Sequence, residues 1–314
     1  RDWRALGAAA RWFRSAAIDV AHVQLYSRAS PYARGAAKLA RVPLIVAHEW
    51  CRPSPPRAAR AMVDRALAPG TRYVATSRSL ARDLIASGAP ARDVEVVHSG
   101  IDTDAHAPRD RAACRRGLDL PPDRPVLLVP ARLHPMKGHV DLIAALPRVL
   151  QALPETLTLL AGDGPLRSEL PALVRAAGLE EAVRFLGRRS DIPLLMGAAD
   201  VVVLPSRVEG LPSALLEALC GERPVVATAV GGVPEVLVDG LGGWIVPARE
   251  PAELARALLA ALADPAGAGE RARSGRALVL RDFRARDTAL RLERLYRDWL
   301  AIPRTSVARA GQGL

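Results

Sequence analysis

The chain has 314 residues and a net charge of +11, with half of its residues apolar and a quarter charged, which leaves room for two folded domains with ordinary cores. No apolar run approaches the roughly 18 residues of a spanning helix, no signal-peptide pattern is seen, and Cys51, Cys114 and Cys220 stand at no metal-ligand or disulfide-framework spacing, so they read as reduced thiols of a cytosolic protein. The positive charge is almost all arginine, Lys38 and Lys137 being the only lysines. It lacks the aromatic-interleaved motif of a nucleic-acid binder, and is read either as GC-rich coding bias or as attraction to anionic lipid or an anionic acceptor.

Residues 1–14 repeat at about 100° per residue, as an amphipathic helix does. Trp3, Leu6, Ala10 and Phe13 share one face, and Arg1, Arg4, Arg11 and Arg14 cluster beside it with Trp12. Such a helix packs on a sheet or lies on a membrane surface. Short β-branched runs then alternate with helical patterns, which predicts parallel sheets with covering helices. The clearest strands fall near Asp19–Val23, Leu44–Ala47, Tyr73–Thr76, Val94–Val97, Val126–Pro130, Leu157–Ala161, Val183–Leu186, Val201–Leu204, Val225–Ala227 and Trp244–Val246. A linker rich in charge and proline, Ala107–Arg124, divides this series. The expected fold is α/β, two Rossmann-like doubly wound domains facing a cleft, with ligands outside the carboxyl ends of the strands. The last residues, from Arg304, are polar and basic and are expected to be disordered.

The most telling segment follows the strand ending at Leu204. It reads Pro205-Ser206-Arg207-Val208-Glu209-Gly210-Leu211-Pro212-Ser213 and continues as Ala214-Leu215-Leu216-Glu217-Ala218-Leu219-Cys220-Gly221. A helix is expected to open at Ser213 as its N-cap. Free backbone N–H groups of a first turn, with the helix dipole, attract an anion. A phosphate beside Gly210–Ser213 would have carboxylates on either side, at Glu209 and Glu217, as a sugar nucleotide requires.

The whole string resembles the E-x7-E segment of the retaining glycosyltransferases of the GT-B fold, in the family called GT4. Four further stretches resemble that family in order. They are Leu128-Val129-Pro130-Ala131-Arg132-Leu133-His134-Pro135-Met136-Lys137-Gly138-His139, the turn Leu159-Leu160-Ala161-Gly162-Asp163-Gly164-Pro165-Leu166, the strand Val183-Arg184-Phe185-Leu186-Gly187, and Pro224-Val225-Val226-Ala227-Thr228 with Gly231-Gly232-Val233-Pro234-Glu235. The resemblance is good over residues 92–250 and loose before. It implies transfer of a hexose from a nucleoside-diphosphate sugar, UDP or GDP, to a glycan, lipid-linked or small-molecule acceptor with retention, in cell-envelope glycan synthesis. No Asp-x-Asp with supporting ligands is seen, so no essential metal is expected, and no cofactor beyond the sugar-nucleotide substrate.

On that resemblance, Arg132 and Lys137 hold the donor diphosphate together with Gly210, Leu211, Pro212 and Ser213. Cations held in place stabilise the charge that a departing nucleoside diphosphate gains, with Arg offering a planar fork and Lys a point charge. Glu217 accepts from the ribose hydroxyls. Glu209 faces the sugar ring as one catalytic residue and His48, ending a strand, is the other; a neutral imidazole there donates to a sugar hydroxyl or takes a proton. Gly162, Gly164 and Arg188 contact the nucleobase or shape turns, and Asp163 is read as a cap. His134 and His139 are read as incidental. No second carboxylate suggests a covalent nucleophile, which leaves front-face attack with the leaving phosphate taking the acceptor's proton. The resemblance divides the chain into an acceptor-side domain over residues 1–110, a donor-binding domain over 111–285 and a helix and tail over 286–314, the helix packing back on the first domain. Family members open on a strand and a glycine-rich loop not found here. The expectation is therefore a fragment or a reduced N-terminal domain, and the alternative function is a weak or inactive donor-binding remnant. The expected location is cytoplasmic, with peripheral contact to the inner face of the membrane.

Overall fold

The computed structural model describes residues 3–24, 29–51, 58–238 and 240–301. The expectation for the tail from residue 304 lies outside them. Among the described residues ten strands form two parallel sheets. The first sheet has β1 (Val20–Gln24), β2 (Leu44–Glu49), β3 (Arg72–Ala75) and β4 (Val94–Val96) in that spatial order. The second has β5 (Val126–Pro130), β6 (Leu157–Ala161), β7 (Val183–Gly187), β8 (Val201–Leu204), β9 (Val225–Thr228) and β10 (Gly243–Val246), in the order β10-β9-β8-β5-β6-β7. Every expected strand is present, with ends that differ by a residue or two. The differences fall at polar ends such as Glu49 and Thr228, where apolar patterning carries no signal.

The described chain falls into two compact units, one from residues before Gly100 and after Ala285, the other from Gly100 to Ala285. In the second unit alternate residues of one strand enter opposite cores. Val126 and Leu128 join Val202 and Leu215 on one face, while Leu127 and Val129 join Val201, Val203 and Val226 on the other. The period of two in strand side chains makes this division, and a parallel sheet covered on both faces needs apolar residues at every position. A buried guanidinium ties the amino ends together: Arg115, 1% exposed, donates to the carbonyls of Ala198 (3.0 Å), Pro122 (2.7 Å) and Arg124 (2.8 Å) and to Asp200 (2.7 Å).

In the first unit the helix Trp3–Ser15 turns Ala10 and Phe13, of the face read as apolar, toward the sheet and its helix. Ala10 is buried, and Phe13 packs with Ala21, Ala37, Val42 and Ile45. Part of the face that could lie on a membrane is thus covered within the unit, and Trp12 is left 60% exposed. The helix Ala285–Ala301 lays Leu292, Leu295, Tyr296 and Trp299 against Leu44, Val46, Val74 and Val97, the spacing of one helical stripe. Among the described residues no helix is long and apolar enough to cross a membrane.

Candidate donor site

The strand order of the second sheet reverses between β5 and β8, which pair directly. Loops at such a switch point splay to opposite sides and leave a crevice at the carboxyl ends. The two expected motifs are the loops that leave those strands. After β5 the chain makes a short turn, Pro135–Lys137, which His134 caps by accepting from the Met136 N–H at 3.2 Å. Gly138 follows with φ +67°, and a Cβ there would overlap the carbonyl oxygen of Pro205. Only glycine allows both the left-handed turn and this approach.

The approach brings Lys137 against Glu209. Lys137 Nζ lies 2.5 Å from Glu209 Oε1, and the Glu209 side chain is 7% exposed. Ser206 Oγ donates to the same oxygen at 2.6 Å, and Thr228 Oγ1 donates to the Ser206 carbonyl. Arg207 Nε and Nη2 donate to the two carboxylate oxygens of Asp141 at 2.7 and 2.6 Å, while the Arg207 N–H donates to the Met136 carbonyl at 2.7 Å. The β8 loop is therefore strapped to the β5 loop by a main-chain bond and to the helix His139–Ala152 after it by a bidentate ion pair. Gly231, φ +56°, sits so close that a Cβ would overlap the Glu209 carbonyl, and the Gly232 N–H donates to the Gly210 carbonyl at 2.5 Å. Ser206, Thr228, Asp141 and the Arg207 pairing were not singled out from the sequence. Ser206, Arg207 and Thr228 stood inside quoted motifs and Asp141 did not, and the partners lie far apart along the chain.

Ser213 is the first helical residue rather than the N-cap. Pro212 holds the extended cap conformation (φ −71°, ψ 123°), and no side chain caps the helix Ser213–Cys220. Proline already supplies the extended backbone that a serine cap would adopt. Leu211 is buried in the core below.

Glu217, on that helix, shares a cleft of about 390 Å³ with Arg132, Ala161, Gly162, Asp163 and Arg188. Burial raises its carboxyl above the ordinary range, against a weaker opposing effect of His106. Arg132 and Arg188 are exposed, and Arg132 makes no ion pair among the described residues. Gly162 serves a close approach, since a Cβ would overlap the Ala131 carbonyl. The Leu133 N–H donates to the Asp163 carbonyl (3.1 Å) and the Leu166 N–H to the Leu133 carbonyl (2.9 Å). A Cβ at Gly164 would lie 2.6 Å from that same Leu133 oxygen. These two glycines thus zip the β6 loop onto the β5 loop. Asp163 Oδ1 accepts from the Gly164 N–H at 2.8 Å, but Gly164 is the N-cap of the turn Pro165–Arg167 and no side chain caps it, so Asp163 is not the cap expected. Lys137 and Glu209 do not line this cleft.

His139, read as incidental, is 1% exposed with neither ring nitrogen hydrogen-bonded among the described residues. Burial first, and then the Lys137 charge, lower its pKa to about 4. His48 lies in the other unit, at the end of β2. It is buried, and burial and then His22 lower its pKa to about 4.

The chain resembles solved structures over nearly its whole length. HepE of Anabaena, crystallised with UDP, covers 93% of it at a TM-score of 0.83 and 24% identity, with 82% of that chain matched. The C-terminal domain of a glycosyl transferase group 1 family protein (LpcC) from Francisella tularensis covers 59% of it at TM-score 0.55 and 26% identity, with 99% of that chain matched. Among curated relatives, a D-inositol 3-phosphate glycosyltransferase of Kribbella flavida is 35% identical over 220 residues, 66% of this chain and 51% of its own. A GDP-mannose-dependent alpha-(1-6)-phosphatidylinositol monomannoside mannosyltransferase of Mycolicibacterium smegmatis is 34% identical over 219 residues, 66% of this chain and 56% of its own. The chain spans about half the length of the curated relatives it matches. The model of Glycosyltransferase Family 4 matches residues 1–105. The model that takes in both loops at the switch point, with Arg132, Lys137, Glu209 and Glu217, matches residues 110–277, and by it the chain belongs to the glycosyl transferases group 1.

Proposed function

We propose that the protein transfers a hexose from a nucleoside-diphosphate sugar to a hydroxyl acceptor with retention of configuration. The observation that carries this reading is the Lys137–Glu209–Ser206 cluster at the switch point, beside the cleft of Arg132 and Glu217. In the reaction the bond between the anomeric carbon and the diphosphate oxygen breaks, and the electron pair leaves with the diphosphate. Arg132 and Lys137 stabilise the charge gained there. Lys137 is already held by Glu209, so it is placed before the donor arrives and loses little side-chain freedom on binding. Glu209 in turn presents negative charge where the sugar ring becomes oxocarbenium-like. The acceptor oxygen attacks the face the diphosphate leaves, and its proton passes to the departing phosphate oxygen. Glu217 accepts from the ribose hydroxyls, the Gly210–Ser213 backbone and Arg132 meet the phosphates, and Arg188 stacks on the base.

On this reading Gly100–Ala285 is the donor-binding unit, and the other unit, with His48, serves the acceptor side. UDP and GDP are the favoured donor nucleotides, in keeping with the UDP of the HepE crystals and the GDP-mannose of the mannosyltransferase relative. The curated relatives named above favour a phosphorylated polyol or a lipid-linked glycan as acceptor. A lipid-linked acceptor would place the protein on an anionic membrane surface, toward which the net charge of +11 and exposed Trp12 and Arg11 would turn.

The test is a screen of UDP-, GDP- and ADP-sugars for donor hydrolysis and transfer, paired with calorimetric titration of the free nucleotides. Binding with turnover supports transfer. Binding without turnover on any acceptor class supports a donor-binding role alone. A protein that binds no nucleotide would overturn the reading.

A further inference from the structure

The first sheet carries a chain of polar side chains that ends at His48, and the chemistry above assigns no work to the rest of it. His22 in β1 and His48 in β2 stand on the same face of neighbouring strands, since Gln24, two residues beyond His22, is the register partner of His48. Their rings lie 5.1 Å apart, and His22 Nε2 is 3.1 Å from His48 Nδ1. On its other side His22 Nδ1 is hydrogen-bonded to Tyr296 Oη, from the helix Ala285–Ala301, with the two rings edge to face at 86°. The far nitrogen, His48 Nε2, is buried and has no partner among the described residues, and the same holds for Trp50 Nε1 of the ring beside it.

A buried polar atom without a partner is costly unless a ligand completes it. The chain therefore has one closed end, at Tyr296, and one open end, at His48. Burial lowers the pKa of both imidazoles, that of His48 to about 4, so at neutral pH each has one N–H and one acceptor nitrogen. Two polarities are self-consistent. In one, the Tyr296 hydroxyl donates to His22 Nδ1, His22 Nε2–H donates to His48 Nδ1, and His48 ends as a donor. In the other every bond is reversed and His48 ends as an acceptor. A phenol is the stronger acid and an imidazole nitrogen the stronger base of the first pair, which favours the first polarity, and bonds in a chain reinforce one another.

We propose that Tyr296 and His22 are positioning residues that hold His48 in its Nε2–H tautomer, so that His48 donates a hydrogen bond to a substrate oxygen and is not a general base. The tautomer of a histidine is set by the bond its other nitrogen makes, and here that bond is set in turn by a hydroxyl 274 residues away in the chain. The substrate role rests on the proposed transfer reaction; the tautomer does not.

The experiment is nitrogen NMR of the full chain with 15N-labelled histidine near pH 7.5, each of the six histidines being assigned by its Gln variant. The expected spectrum shows His48 and His22 neutral, each with Nε2 protonated and Nδ1 bare. In Tyr296→Phe, which keeps the ring in its apolar contacts, the nitrogen signals of both histidines move toward averaged positions, including those of His48, which the tyrosine does not touch. A His48 that is Nδ1–H or doubly protonated in the parent protein overturns the proposal. So does a Tyr296→Phe change confined to His22. Where transfer is measurable, Tyr296→Phe should lower kcat about tenfold with the donor KM unchanged and add no new ascending limb to the pH profile. An inactive parent protein with the expected tautomers would count against the transfer reaction alone.

Discussion

His139 gives the second unit a built-in sensitivity to acid whose size can be worked out. It opens the helix His139–Ala152, is 1% exposed and has no hydrogen-bond partner for either nitrogen among the described residues. Burial, with Lys137 adding to it, takes its pKa from 6.5 to about 4. The folded pKa is depressed, so the folded state resists a proton that the unfolded chain accepts. Stability should be unaffected above about pH 6.5, fall as the pH drops from there toward 4, and level off below. At 1.36 kcal/mol per decade the loss is about 3 kcal/mol, a large share of the stability of an ordinary domain. His48 titrates over the same window in the other unit, so the measurement must be differential. Urea unfolding of the parent and of His139→Phe, at steps from pH 7.5 to 4, isolates the effect, because every other group is common to both. The variant should lose about 3 kcal/mol less than the parent across the window. Equal losses would refute the reasoning and mean that the His139 ring finds a partner or solvent in solution.

Three further outcomes follow from the site. Lys137→Ala should reduce kcat by roughly a hundredfold, the usual cost of one electrostatic donor at about 3 kcal/mol, and should also lower the thermal melt, because the Glu209 carboxylate loses its cation; near-normal turnover in the folded variant would remove Lys137 from the diphosphate role. Glu217→Gln should weaken calorimetric binding of whichever free nucleotide the parent binds, and unchanged affinity would exclude the ribose contact. Gly138→Ala should destabilise the second unit by at least about 1 kcal/mol, because φ +67° is unfavourable with a Cβ and the Pro205 carbonyl occupies its place; a melt matching the parent would show that the loops do not approach so closely. At the surface, sedimentation with liposomes should be greater with anionic lipid than with neutral lipid and should fall with salt. Equal recovery in the supernatant would leave the arginines without a membrane role.

Local patterns determined a good deal about this protein. The ten strands were legible because a β-branched run bounded by turn residues is a short-range signal, and Val126–Leu128 or Val201–Leu204 carries it without help from distant residues. The motif loops were legible for a related reason: a glycine that must admit a carbonyl, as at Gly138 or Gly162, leaves its mark on the sequence even when the carbonyl is not known. The pairing of the site could not be read in this way. Lys137 meets Glu209, 72 residues further on, only because β8 returns to lie beside β5 and not beside β7. The bidentate bond of Arg207 to Asp141 and the support of Ser206 by Thr228 depend on the same return. The face of Leu6, Ala10 and Phe13 looked alike for a membrane and for a sheet, since amphipathicity states that a face must be covered and not by what. Tyr296, set in a helical stripe of apolar residues, gave no local sign of His22. Strand order, and the packing of one helix far along the chain, decide which polar groups converge, and both are set by long-range contacts that no window of neighbouring residues contains.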